Sequence, residues 1–344
     1  MSVHAGKLPV IALTGHLGAG KTTLLNHLLH TPGARIGVVV NDFGTINVDA
    51  ALVSGQIDEP ASIAGGCLCC LPDAGGLDEA LEKLARPSRR LDAIVIEASG
   101  IAEPAALARQ IRFSGVDRVR PGGVVDVINA ADHFRTVDTE PLPPARYAAA
   151  SLVVVNKLDR VPPAERAERL NRIAARVRER NPRAHLVAAS NGRIDPVLVF
   201  DPAGRPEVSD ELPLVPEELP LAADDHHHHH QHADAVTVLA SGPVDPGRLL
   251  DLLEQPPPGA YRIKGCVTVP TARAPRRQLV NLVGTQLHIA DDAASPVPDA
   301  LVAIGMRLDR AAVRARLQHA LAPADARPTA ASLRRLLRYR RLSA

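Results

Sequence analysis

The 344-residue sequence has no Trp, 3 Tyr and 4 Phe, so aromatics make up 2% of it. That excludes the aromatic platforms on which single-stranded nucleic acids stack and leaves the core to Val, Leu, Ile and Ala. Charge of one sign is lacking too. The 40 basic side chains face 38 acidic ones, a net of +2 with His neutral, which carries no polyelectrolyte signal for nucleic acid. No apolar run approaches the roughly 20 residues a membrane helix needs. The first apolar stretch, in MSVHAGKLPVIALTGH, runs straight into a glycine-rich loop. It reads as a first strand rather than a signal peptide, and the expected compartment is the cytoplasm. Cysteine is scarce at 4 residues, yet Cys67, Cys69 and Cys70 are clustered. In a cytosolic chain that favours metal or redox chemistry over disulfides.

What is present suggests two domains. Hydrophobic residues make up 46% of the chain, enough for sizeable cores, and charged residues 23%. Apolar runs at 10–13, 36–40, 93–97, 123–128, 152–156 and 184–188 alternate with helix-like stretches at 21–30, 77–84, 105–112 and 163–181. This alternation predicts an α/β domain with a doubly wound, mostly parallel sheet covered on both faces. The pattern stops near Phe200. Residues 201–234 are rich in Pro and acidic groups, then carry a histidine run, and read as a linker. Order resumes as a smaller α+β module over 235–325, with strands near 235–241, 261–269, 278–283, 286–289 and 301–307 and helices at 246–254 and 310–321. An Arg-rich tail with Leu at helical spacing fills 326–344.

Gly15-His16-Leu17-Gly18-Ala19-Gly20-Lys21-Thr22 matches G-x-x-x-x-G-K-[ST], after a strand and before a helix. Backbone N–H groups of Gly15, Gly18, Ala19 and Gly20 would curl round phosphate oxygens. Lys21 would reach the β/γ-phosphates, the Thr22 hydroxyl would ligate Mg²⁺, and Thr23 completes the nucleotide contacts at the helix start. Asn156-Lys157-Leu158-Asp159 ends an apolar strand and fits N-K-x-D. The Asp159 carboxylate can accept from both N1–H and the 2-amino group of guanine, donors that adenine lacks, so this site selects GTP. Asn156 and Lys157 would support the loop, and Ser190 sits where a backbone contact to the base is usual. Glu97, in Glu97-Ala98-Ser99-Gly100, ends a further strand and can hold Mg²⁺ through water. Lys21, Thr22 and Glu97 are the candidate catalytic residues for hydrolysis. Asp42, in Asn41-Asp42-Phe43-Gly44, belongs to the Mg²⁺ shell, to a second metal site, or to both.

That second site is Gly65-Gly66-Cys67-Leu68-Cys69-Cys70. Thiolates select Zn²⁺, Co²⁺ or Cu⁺ rather than Mg²⁺. In an extended segment Cys67 and Cys69 point one way and Cys70 the other, so Cys70 joins only if the glycines bend the loop. Three ligands at most leave the cage incomplete, which suits transfer better than permanent structure. His226, His227, His228, His229, His230 and His232 could capture or deliver metal. Cys266, alone in a strand-like run, reads as a small buried residue.

Together these motifs resemble the CobW family of P-loop GTPases. The resemblance rests on Gly15–Thr22, Asn41-Asp42-Phe43-Gly44, Gly66-Cys67-Leu68-Cys69-Cys70, Glu97–Gly100 with Pro104, and Asn156–Asp159. Arg262-Ile263-Lys264-Gly265 and Val302-Ala303-Ile304-Gly305 resemble the family's C-terminal domain. It implies a P-loop NTPase fold of the SIMIBI type, GTP and Mg²⁺ as cofactors, and GTP-dependent metal insertion, with Cys67, Cys69 and Cys70 holding Zn²⁺ (or Co²⁺) near the nucleotide. The implied partner is a client metalloprotein, with a homodimer as a further expectation and no nucleic acid or membrane. Zinc homeostasis, cobalamin synthesis and nitrile hydratase activation are the roles it implies. His16 stands where the family usually has Phe, Asp42 replaces the commoner Glu, Ala98 a frequent Thr, and the usual C-terminal Trp is missing. Two other classes stay open at this point: a P-loop kinase or ATPase with redox cysteines, and a metal-storage protein built on the histidine run.

Overall fold

The computed structural model describes residues 7–40, 61–62, 75–100, 102–201, 232–271, 274–292, 298–324 and 327–343. The amino-terminal unit is built on one parallel sheet. Its strands are β1 (Leu8–Gly15), β2 (Ile36–Val40), β3 (Ala61–Ser62), β4 (Ala93–Glu97), β5 (Val119–Asn129), β6 (Leu152–Asn156) and β7 (His185–Ala188). They lie in the order β3-β2-β4-β1-β5-β6-β7, all pairs parallel. Helices α1 (Lys21–Leu29), α2 (Gly75–Leu84), α3 (Pro104–Arg112), the single turn α4 (His133–Thr136) and α5 (Arg166–Arg180) make the crossovers.

Alternation along the strands sorts the core into two layers. Ile11 and Leu13 of β1 face Leu24, Leu25 and Leu28 of α1. Val10 and Ala12 face Leu77 and Leu81 of α2 and Leu107 and Ile111 of α3. With helices on both faces the strands are apolar throughout, as the buried run Ala93–Glu97 shows. Two features differ from the sequence expectation. Strand β3 was not foreseen, so the strand ending at Glu97 is the fourth rather than the third. Strand β5 starts at Val119 rather than at 123, because Arg120 and Pro121 still pair with Pro9 and Val10 before the register shifts.

The second unit is an antiparallel sheet of β8 (Asp234–Leu239), β9 (Ala260–Val269), β10 (Arg276–Val283), β11 (Gln286–Asp291) and β12 (Ala300–Gly305), in the order β11-β10-β9-β12-β8. Helices α6 (Pro246–Glu254), α7 (Arg310–Leu321) and α8 (Ala330–Ser343) accompany it. Period-two alternation gives the sheet two apolar faces. Leu301 and Ala303 pack with Leu249, Leu253, Leu317 and Leu336 under the helices. Ile304, Tyr261 and Val283 instead join the core of the first unit beside Leu198 and Phe200. The junction is polar at its rim: Arg262 Nη2 donates to Asp201 Oδ2 at 2.9 Å and Lys264 Nζ to Asp201 Oδ1 at 2.6 Å. The Arg-rich tail forms α8, held by Arg335 against Asp251 and Glu254 at 2.8 and 2.9 Å.

Candidate functional site

The glycine-rich loop leaves β1 at its carboxyl end and feeds α1, whose N-cap is Gly20 at φ 101°. A side chain is barred there twice: by the left-handed backbone and because a Cβ would sit 2.4 Å from Asn156 Nδ2. Asn156 makes that approach because it is 1% exposed and joins two loops. Its Nδ2 donates to Ala19 O at 3.1 Å and its Oδ1 accepts from Gly192 N at 2.9 Å. Lys157, in the left-handed region at φ 61°, sends Nζ to Gly18 O at 2.6 Å. Lys21 folds over the same loop, donating to Gly15 O at 3.0 Å. Both cations thus rest on carbonyls of the phosphate loop. Asp159 is exposed, with its carbonyl accepting from Arg166 Nη2 at 3.3 Å, and Ser190 is exposed on the neighbouring turn. Thr23 is exposed at the start of α1.

On the other side of the loop, Thr22 Oγ1 donates to Glu97 Oε1 at 2.7 Å, with Glu97 only 3% exposed. Two hard oxygen donors in contact at the mouth of a phosphate loop fit a Mg²⁺ ion, which takes few protein ligands and keeps its waters. The strand-end loop also closes on the phosphate loop: a Cβ on Gly100 would lie 2.7 Å from Leu17 N. The end of β2 is adjacent, with Val40 in register with Glu97 on one side and Ser62 on the other. Asp42, Cys67, Cys69, Cys70 and His226 to His230 lie outside the described residues. Among the described residues no three His, Cys, Asp or Glu side chains converge as a metal site. His232 is exposed, its Nδ1 3.8 Å from Asp195 Oδ2. Cys266 is buried, its thiol donating to Asp292 at 3.1 Å, and burial and that carboxylate push its pKa up to about 12. It is therefore an inert thiol.

The first unit matches a family model described as the CobW/HypB/UreG nucleotide-binding domain over residues 9–185. The chain belongs to that family. Residues 233–321 match the cobalamin synthesis protein cobW C-terminal domain. A zinc chaperone CobW of Pseudomonas aeruginosa is 32% identical over 92% of this chain and 92% of its own. A zinc chaperone CobW of a Sinorhizobium species is 29% identical, covering 91% of this chain and 97% of its own. The zinc chaperone YjiA of Escherichia coli is 31% identical over 57% of this chain and 62% of its own.

Within this CobW-family site, sequence reasoning overlooked a polar layer under the phosphate loop. A cleft of about 270 Å³ opens beside His16, Gly18 and Lys157 and reaches Asp126, Arg146 and His133. Asp126 is fully buried in β5, accepts from Thr14 Oγ1 at 2.8 Å, and pairs with Arg146 Nη2 at 2.8 Å and Nε at 3.2 Å. Burial works against the Arg146 charge, but Asp126 more than offsets it and raises its pKa. Next to them His133 Nε2 meets Tyr147 OH at 2.5 Å, and burial drives the His133 pKa down to about 4, so the ring is neutral. The signal was available in Asp126 as the one charged residue of the otherwise apolar run 123–128, a residue that is buried only when paired.

Proposed function

We propose that the protein is a GTPase that carries a transition metal, zinc foremost, and couples the state of its nucleotide to delivery of that metal to a client metalloprotein. The carrying observation is the adjacency of Thr22, Glu97, Val40 and Ser62 at one end of the sheet. In sequence Asp42 follows Val40 by two residues and Cys67, Cys69 and Cys70 follow Ser62 by five to eight, and those two strand ends lie beside the residues that would hold Mg²⁺ and the terminal phosphate. A γ-phosphate that orders those segments would assemble the thiolate site, and its loss would loosen it, as in other nucleotide switches. Lys21 neutralises the phosphates, Asn156 and Lys157 support the loop and pack on the base, and Asp159 selects guanine. Mg²⁺, held by Thr22 and Glu97, would supply charge stabilisation for phosphoryl transfer. The described Arg146 is committed to Asp126, which leaves intrinsic turnover slow in the absence of another arginine. The zinc chaperone names of the full-length relatives support zinc over cobalt as cargo.

The test is Zn²⁺ and Co²⁺ affinity by competition with a chelating dye, using protein lacking residues 224–232. It is measured with Mg²⁺ and a non-hydrolysable GTP analogue, with GDP, and without nucleotide. Tightening only with the GTP analogue, lost in Cys67→Ala, is expected. Equal affinity in all three states overturns the coupling.

A further inference from the structure

At the amino ends of the parallel strands, opposite the phosphate loop, the two units line an open cavity of about 1440 Å³. Its floor includes the start of β5 and the start of β7. Its roof includes the β10–β11 turn and the start of β9. Five basic side chains line it against two acidic ones. Arg120 projects from β5 and is 9% exposed. Among the described residues no carboxylate forms an ion pair with it, and its single hydrogen bond is a long one, 3.4 Å from Nη1 to the carbonyl of the adjacent Pro121. Burial, helped by Arg262 and opposed by Asp201, lowers its pKa only to about 10, so the guanidinium is charged at neutral pH. On the opposite wall, His288 of β11 is 7% exposed, and its Nε2 is buried without a hydrogen-bond partner. Arg120 and Lys7 both bear electrostatically on that ring.

A buried cation with no carboxylate in contact, opposed only at longer range by Asp201, and a buried ring nitrogen without a partner are each costly. Both costs are relieved by one kind of ligand. A planar guanidinium matches an oxyanion with two parallel N–H donors, and a neutral imidazole can donate from Nε2. A metal cation is disfavoured by the excess of positive lining.

We propose that this cavity is a binding site for a small oxyanion, phosphate or carboxylate in class, held by Arg120 and His288 with Arg183 at its rim. It is separate from the nucleotide site, since Arg120 and Gly15 lie towards opposite ends of paired strands. Its walls come from both units, so the ligand clamps the C-terminal sheet to the nucleotide-binding sheet. A small anion is favoured over an acidic protein segment because the two groups that draw it, Arg120 and His288, are each more than nine-tenths buried.

The test is calorimetric titration of the metal-free full chain with inorganic phosphate, pyrophosphate and citrate, with Mg²⁺ and a non-hydrolysable GTP analogue saturating the phosphate loop. Lys21→Ala is titrated in parallel, so that anion binding at the phosphate loop is recognised by its loss there. One site is expected, retained in Lys21→Ala, weakened at least about tenfold in Arg120→Gln and clearly weakened in His288→Gln. The ratio of phosphate to citrate affinity separates the two anion classes. If Arg120→Gln does not fold, His288→Gln and Arg183→Gln decide. The proposal is overturned if none of the three anions binds or if binding is the same in every junction variant that folds.

Discussion

Thr22 and Glu97, 75 residues apart in sequence, meet through one hydrogen bond of 2.7 Å at the mouth of the phosphate loop. The contact is possible because β1 and β4 are adjacent, with Leu13 in register with Glu97, and Ala98 N extends the pairing to Leu13 O at 2.9 Å. Glu97→Gln keeps the shape and an acceptor while removing the charge. It should weaken Mg²⁺ affinity in the nucleotide complex about 10–100-fold, with nucleotide affinity measured in EDTA little changed. Titrating Mg²⁺ against a fluorescent nucleotide analogue checks this, and equal Mg²⁺ dependence in wild type and variant would remove Glu97 from the ion's shell.

Base selection should rest on Asp159. The side chain is exposed, so Asp159→Ala should leave stability within about 0.5 kcal/mol of wild type. Guanine would lose two charge-assisted hydrogen bonds, and GTP affinity should fall by about 100-fold or more, with the preference over ATP largely abolished. Competition of GTP and ATP for the same fluorescent nucleotide gives the ratio directly. A ratio unmoved by the substitution would exclude Asp159 from the base pocket.

Asn156 should behave differently, as a structural tie. It satisfies Ala19 O and Gly192 N from inside the protein. The 190–195 turn it holds is also pinned by His27 Nε2 to Ile194 O at 2.8 Å, and it receives Ala233 N at Asp195 Oδ2 at 3.1 Å. Asn156→Ala would leave buried backbone groups unpaired, at a cost of about 1–3 kcal/mol each. Urea unfolding of the nucleotide-free protein should therefore shift for Asn156→Ala and not for Asp159→Ala, although both residues belong to one four-residue motif.

The contrast shows where sequence reading reaches. Strands such as Ala93–Glu97 and Leu152–Asn156 were legible to the residue, because buried parallel strands are uninterrupted apolar runs and each ends on a polar functional group. The two residues of β3 are too few to carry any periodicity. The motifs named Asn156 but not its bridging role, which depends on loops from three separate strands meeting in space. Arg262 and Lys264 stood out only as part of a family-like string, and their common partner Asp201 follows from the docking of the two sheets. Arg120 and His288 carried no pattern at all: each becomes conspicuous only once burial deprives it of partners.

Burial of titratable groups sets the pH dependence of stability. Burial pushes the pKa of His133, His185 and His288 down to about 4 each, from an ordinary value of 6.5. The unfolded chain therefore binds protons below pH 6.5 that the folded chain refuses, so stability is fullest above that pH and falls as pH drops from 6.5 towards 4. Asp201 adds a second, lower window. Burial resists its charge, but Arg262 and Lys264 hold its pKa at about 2, below the ordinary 3.8. Its contribution is present above pH 3.8 and is lost as pH falls from there towards 2. Urea midpoints measured in half-unit steps should descend between pH 6.5 and 4, with a shallower descent in His133→Gln, whose replacement does not titrate. A flat profile from pH 6.5 to 4, or an unchanged slope in His133→Gln, would mean that the folded protein admits these protons and that the polar layer beneath the phosphate loop opens more readily than its packing implies.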